Sequence, residues 1–315
     1  MATPTVTTST LDDQVKTAFD QVAYFALRSQ PLFEMIADVR STAQSHNGSG
    51  VQFTFYADMA QATSALTENS DVTAVALTDS AVTVTLAEYG NAVITSAKVR
   101  GTSFLNVDAD AANIVGYNMA DSLDKIVSDV VNGGSNVTYV GQTSRGAITA
   151  ADNYTAAEGR KAVAQLRSRN APGWDNGNYM AIIHPDVSYD LRGDTAVTDV
   201  IQYQLYQEGA PIRAGSIGTF NGIEYIENPR AGLIADGGTS NVDVYQTLIV
   251  GRQFAAKAFS RAAGFGPDPS IVVGPITDTL RRCNPIGWYH LVGYGRFRED
   301  CGQRIECSSS IGANS

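Results

Sequence analysis

The stretch NVDADAANIVGYNMADSLDKIVSDVVNGG, Asn106 to Gly134, constrains the fold of this chain more than any other. Asn106 is placed to cap a helix, Asp108 and Asp110 sit at its positive end, and Gly133 with Gly134 stops it. Val107, Ala111, Ile114, Met119, Leu123, Ile126 and Val130 fall mostly on one face, which predicts a single amphipathic rod. At about 1.5 Å per residue the rod is roughly 40 Å long, more than an ordinary globular helix.

The segments around it follow other periods. Residues 1–10 are small, polar and Thr-rich and read as a flexible arm. Leu11, Val15, Ala18, Val22 and Phe25 recur at steps of four and three, so a helix is expected there, with a second short helical piece from Leu32 to about Val39. SHNGSG (Ser45 to Gly50) is a turn. Beyond it VQFTFY and AVTVTLAEYG alternate apolar and polar residues and read as a long pair of strands, joined by the polar LTENSDVTAVALTDS. Such a pair is marginal alone and is expected to lie on something else.

After the rod, YTAAEGRKAVAQLRSR predicts a helix, YMAIIHP a buried strand, VTDVIQYQLYQEG a helix, and IGTFNGIEYIENP a hairpin turning at Asn221-Gly222. This alternation suggests a compact α/β unit. The last part returns to strands at DVYQTLIVG, QFAAKAF, SIVVGPI, GWYHLVGY and QRIECSS. In GWYHLVGY, Trp288, His290 and Val292 share one face, and Gly293 and Gly295 are expected to loosen the strand end. An α+β fold is expected: hydrophobic residues make up 43% of the 315, enough for a real core, while charged residues are only 17% and Gly numbers 29.

Charge and motif content exclude several function classes. A formal net charge of -10 argues against unaided nucleic-acid binding or adhesion to anionic membranes. No run approaches the roughly 18 apolar residues a membrane-spanning helix needs, and MATPTVTTST lacks the features of a signal peptide, so a soluble, cytosolic protein is expected. Cys283 and Cys301 are separated by seventeen residues and Cys301 and Cys307 by five, so neither a zinc knuckle nor a disulfide scaffold fits. AAEGRKAV lacks the glycine and the Ser or Thr of a phosphate loop, and GFGPDP breaks the dinucleotide pattern at Pro267. DADAAN has Ala112 where a calcium loop needs its third ligand. His46, His184 and His290 have no serine elbow to serve. No catalytic, cofactor or metal residue is assigned. Arg281, Arg282, Arg296, Arg298 and Arg304 are offset by Asp278, Glu299, Asp300 and Glu306, a pattern suited to a solvated face or to pairs between subunits.

A loose arm, a weakly supported hairpin and a rod are shapes that a monomer does not need and that a neighbouring copy can cover. Their order resembles the major capsid proteins of tailed bacteriophages with the Hong Kong 97-type fold, and more narrowly the coat-protein family typified by the podophage called N-four. The residues carrying the resemblance are LTEN (Leu66 to Asn69), VTVTLAEYGNAVITS (Val82 to Ser96) with Glu88-Tyr89-Gly90 inside it, the helix from Asn106, GTFNGIEYIENP from Gly218, and CNPIGWYHLVGYGRF with RIECSS near the end.

The resemblance implies an N-terminal arm and helix over residues 1–45, an extended E-loop over 46–102, a spine helix and connector of the P-domain over 103–150, an α/β A-domain over 151–241, and returning P-domain strands over 242–315. It implies hexamers and pentamers of an icosahedral shell, with portal and scaffolding proteins as partners, a possible decoration or cement protein, and double-stranded DNA enclosed without sequence-specific contact. The location it implies is the virion capsid, with the host cytoplasm during assembly. Candidate subunit-interface residues are Leu66, Glu68, Asp71, Glu88, Tyr89, Arg100, Arg281, Arg282, Arg296 and Arg298. The chain has five lysines and only Lys98 lies near the E-loop, which points to non-covalent overlap in place of the prototype's lysine–asparagine link. With no long helical scaffolding extension, either a separate scaffold or a removed prosegment is expected. Two alternatives are an encapsulin-type nanocompartment shell and an α/β enzyme in residues 151–241 using His184, Asp186 and Asp190.

Overall fold

The structure is a computed structural model and describes residues 28–41, 49–66, 68–69, 71–103, 106–174, 177–194, 216–260, 266–274, 279–280 and 282–312. The helices expected at Leu11–Phe25 and in VTDVIQYQLYQEG, and most of the SHNGSG turn, lie outside these residues. In chain order, a 3-10 turn (Phe33–Ile36) leads into β1 (Ala37–Ser41), β2 (Gly50–Tyr56), β3 (Asp79–Thr85), β4 (Ala87–Ser96), α1 (Ala97–Thr102) and α2 (Val107–Asn132). There follow β5 (Val137–Tyr139), α3 (Ala156–Ser168), β6 (Tyr179–Ile183), α4 (Pro185–Gly193), β7 (Ser216–Phe220), β8 (Ile223–Glu227) and β9 (Gly232–Ile234). The chain closes with β10 (Val244–Val250), β11 (Ala255–Phe259), β12 (Ser270–Val273), β13 (Cys283–Arg296) and β14 (Gly302–Cys307).

The described residues fall into two units. The smaller comprises Arg28, Asn91–Asn118 and Ile271–Trp288; the larger comprises 29–90, 119–270 and 289–312. Within the larger unit a mixed sheet runs β5-β14-β10-β6-β8-β7, with β9 also on β10. Every residue of β6, β10 and β14 is buried, as the apolar runs YMAII and VYQTLIV require of strands covered on both faces. Between β7 and β8, Asn221 and Gly222 both have positive φ (51° and 80°), the backbone of a tight hairpin turn whose twist matches its strands. Helix α3 packs against this core through Ala162, Val163 and Leu166, and its first amide, on Ala156, donates to Asp194 Oδ2 at 2.9 Å.

A second sheet pairs β1 parallel to β11 and β11 antiparallel to β13, and β13 also pairs with β12 and β4. The strand β1 corrects the helix expected from Leu32 to Val39. Residues 33–36 form only a single 3-10 turn, and from Ala37 onward the backbone is claimed by the open edge of β11. Local propensity is a weak prior against a ladder of that kind.

Helix α2 forms where expected, and Asn106 Oδ1 accepts from the amide of Ala109 at 3.4 Å. Its buried side chains are Ala111, Val115, Leu123, Val127 and Val131, recurring at multiples of four, while Ile114 is 48% exposed and Ile126 and Val130 are half-buried. The expected face was therefore rotated by about one residue. The cause is polar: Asp124 and Ser128 belong to the buried face, and an apolar count ignores them. At the C-terminus Arg296 donates from Nη1 to the Val130 carbonyl at 2.7 Å and from Nε to Glu299 at 2.8 Å, placing a cation on the negative end of the dipole.

Two helices were not expected. Ser96 caps α1 by accepting from Val99, and α4 starts with Pro185 at its first turn while His184 Nδ1 accepts from the Asp186 amide at 3.2 Å.

Candidate assembly surface

Strands β2 and β3 form a separate two-stranded ribbon, paired antiparallel from Gly50↔Thr85 to Tyr56↔Asp79. One more backbone bond, Ala57 N–H to the Thr78 carbonyl at 2.9 Å, closes it, and no strand or helix forms among the described residues from 58 to 78. Only the root is buried. Phe53, Val84 and Leu86 pack with Ala256 and Ala258 of β11, flanked by Val51, Leu291 and Phe297. The Phe297 ring lies 5.4 Å from that of Phe53 and 5.9 Å from that of Phe55, and the Arg298 guanidinium stands 5.7 Å over Phe55.

Outward from the root the ribbon is apolar and acidic at once. Tyr56, Met59, Leu66, Val72, Val75 and Leu77 are between 58% and 77% exposed. From Ser41 to Ala97 the sequence contains Asp58, Glu68, Asp71, Asp79 and Glu88 and no lysine or arginine. Leu66, Glu68, Asp71 and Glu88 are all exposed, with Asp71 accepting from the Val72 amide, whereas Tyr89 is half-buried.

The smaller unit holds Arg100 and Arg282. Arg100 pairs with Asp108 at 3.8 Å and donates to the Arg282 carbonyl at 3.4 Å, and that carbonyl also accepts from Ala97 at 2.7 Å. Thr95 donates to Asp108 at 2.7 Å and Trp288 Nε1 to Asn118 at 3.1 Å. Around these contacts Ile94, Val99, Ile114, Ile271, Val273 and Leu280 are exposed, so this unit too presents apolar surface that it does not bury itself. Arg281 lies outside the described residues. Of the remaining expected interface arginines, Arg296 is engaged with α2 and Glu299 within the chain, and Arg298 is exposed.

A clasp that sequence reasoning did not single out fixes the start of the described chain. Asp124, 1% exposed, accepts from the amides of Leu32 (2.8 Å) and Phe33 (2.6 Å) and from Arg230 Nε at 2.7 Å. Arg230 also pairs with Asp121, and Asn228 donates to the Gln30 carbonyl at 3.0 Å. Burial works to lower the Arg230 pKa, but the hydrogen bonds and charges of Asp121 and Asp124 prevail and raise it. The signal lay in Asp121 and Asp124, two acids spaced by three on an amphipathic helix, the second of them on its buried face. Glu306 is held similarly: burial opposes its charge, yet bonds from Arg145 (2.7 Å), Gln246 (3.0 Å) and Arg304 (2.8 Å) leave its carboxyl below the usual range.

The residues behind the enzyme alternative are absorbed by local structure. His184 caps α4, with burial lowering its pKa; Asp186 accepts from Tyr245 Oη at 2.7 Å; Asp190 accepts from the Ser310 amide at 3.0 Å. Cys301 and Cys307 are buried free thiols whose pKa values burial pushes up, and Cys283 is free and half-buried. Among the described residues, no group of three or more His, Cys, Asp or Glu side chains could hold a metal ion, and no helix is long and apolar enough to cross a membrane.

Comparison with known proteins accounts for this combination of rod, ribbon and mixed sheets. The profile of the family described as phage capsid protein matches residues 7–311. The capsid of Ralstonia phage GP4 is similar in structure at a TM-score of 0.74 and 14% identity, over 96% of this chain and 97% of that one. The capsid subunit of cyanophage Pam1 is similar at 0.73 and 14%, over 99% and 100%, and that of Helicobacter pylori bacteriophage KHP30 at 0.69 and 12%, over 98% and 99%. A search of curated proteins finds no match. The fold is the α+β, Hong Kong 97-type fold of tailed-phage capsid subunits. The chain belongs to the phage capsid protein family, and its role is that of a structural subunit, the major capsid protein of a bacteriophage. The encapsulin alternative gains no support from these matches.

Proposed function

We propose that the chain assembles into hexamers and pentamers of an icosahedral shell around double-stranded DNA, with no enzymatic activity of its own. The observation that carries this reading is the ribbon, which exposes Met59, Leu66, Val75 and Leu77 to solvent in a single copy. Exposed apolar surface of that extent on the segment joining the two strands calls for a second copy to cover it.

On this reading residues 46–102 reach over a neighbouring subunit, 1–45 form an arm, 103–150 and 242–315 build the shell floor, and 151–241 gather around the capsomer axes. Leu66, Glu68 and Asp71 meet the neighbour's Arg100 and Arg282 region, where apolar surface and positive charge lie together; Glu88, Tyr89, Arg281, Arg296 and Arg298 line the same contacts. The net charge of -10 suits a wall that encloses DNA without gripping it. Portal, scaffolding and decoration proteins would complete the assembly, in the host cytoplasm before the virion is released. The finer resemblance to the N-four type rests on Glu88-Tyr89-Gly90 and its neighbours.

The test is the mass of the purified protein in solution together with electron microscopy. Capsomers or hollow particles are expected; a stable monomer under every salt and scaffold condition would rule the reading out. Deleting residues 60–77 should leave the fold intact and abolish particles, since the described residues among them are all exposed.

A further inference from the structure

The glycines of β13 were expected to loosen its end, but they lie in the middle of a packed contact. A Cβ at position 293 would sit 2.3 Å from the Thr85 carbonyl oxygen, and one at 295 would sit 2.7 Å from Val84 Cγ2. Across the sheet, Ala258 pairs with Gly293 and Ala256 with Gly295, and both alanines are fully buried beneath the ribbon. These four small residues make a flat floor on which the β3 backbone rests, and Phe297 forms a wall beside it against Phe53 and Phe55.

We propose that Gly293 and Gly295 are positioning residues for shell assembly: they set the height and tilt of the ribbon root, and through it where the ribbon tip meets the neighbouring subunit. This rests on the reading of the ribbon as the arm between subunits. The mechanism is a lever. Ordinary van der Waals contact requires about 3.5 Å, so an alanine at 293 would lift Thr85 by about 1 Å. Residues 293 and 295 are about 6.6 Å apart along the strand, and the paired ribbon is about 23 Å long at ~3.3 Å per residue. A lift of about 1 Å at one end of that base tilts the ribbon by roughly 9° and moves its far paired end by about 3–4 Å. Interfaces are packed too closely to accept that displacement. The contact is local, so the rest of the subunit has no reason to unfold.

The experiment uses Gly293→Ala, Gly295→Ala, Val84→Ala and the double variant Gly295→Ala/Val84→Ala, under conditions in which the unsubstituted chain forms particles. Folding is read by circular dichroism and thermal melting, assembly by sedimentation and electron microscopy. Gly295→Ala is expected to stay folded and to give at least tenfold fewer regular particles. Val84→Ala, which removes the methyl that the new Cβ would strike, is expected to assemble alone and to restore assembly in the double variant. Normal particles from both glycine variants would overturn the proposal, as would failure of Val84→Ala to rescue Gly295→Ala. If Gly293→Ala does not fold, the rescue pair still decides. Particles from the chain lacking residues 60–77 would instead overturn the reading of the ribbon itself, whatever the glycine variants do.

Discussion

His290 is 1% exposed, and its Nε2 has no hydrogen-bond partner among the described residues. Burial first, and then the Lys257 ammonium, push its pKa below the ordinary 6.5, with Glu34 and Asp268 opposing. A base whose folded pKa is depressed is protonated more readily in the unfolded chain. Its contribution is therefore complete above about pH 6.5 and declines as the pH falls toward the folded value. Melting temperatures measured from pH 7.5 to 5 should fall more steeply for the natural chain than for His290→Leu; parallel curves would refute this. Asp124 supports a second prediction. Asp124→Ala leaves two amides and the Arg230 guanidinium, which is only 14% exposed, without their buried acceptor. The cost should be about 3–5 kcal/mol, and limited proteolysis should then cut between residues 28 and 36. Denaturant midpoints and cleavage maps check both.

Among the elements, strands with a clean two-residue period were legible: β2, β8, β10 and β13 lie where alternation or a continuous apolar run placed them. The strand expected over AVTVTLAEYG instead breaks at Leu86, its first part pairing with β2 as β3 and its last part opening β4, which pairs with β13. The hairpin at Asn221-Gly222 was legible because its turn requires positive φ at two successive residues, which that dipeptide tolerates. Strand β1 was not, since nothing in ADVRS favours a strand until the edge of β11 is beside it. The face of α2 was half legible because its buried stripe includes two polar residues: Asp124, whose partners Leu32, Phe33 and Arg230 come from distant segments, and Ser128, which accepts from Asn132 one turn on in the same helix. That rotation can be measured. Leu123→Ala should cost about 2–5 kcal/mol, while Ile114→Ala, expected from periodicity alone to be equally costly, should stay within about 0.5 kcal/mol in the unassembled subunit. The acids and exposed apolar residues between β2 and β3 were legible as composition. The seat of the ribbon was not, because no local pattern announces that Gly293 and Gly295 lie under Thr85 and Val84.

At the scale of the molecule, each unit leaves something uncovered: the larger one the ribbon between Tyr56 and Asp79, the smaller one the faces around Ile94 and Ile271. Amide hydrogen exchange should show it. In free subunits, residues 58–77 should exchange quickly, and in assembled particles they should slow by at least tenfold; equal rates in the two states would argue that this segment is not an interface. One detail of the ribbon has a practical side. Its paired part ends in a single bond, Ala57 N–H to the Thr78 carbonyl at 2.9 Å, so everything beyond is carried on two backbone ends that already touch. A foreign peptide whose own termini meet at that spacing can be grafted between them without disturbing the register below. The same replacement would then poison a shell by supplying it with subunits that seat correctly and reach nothing.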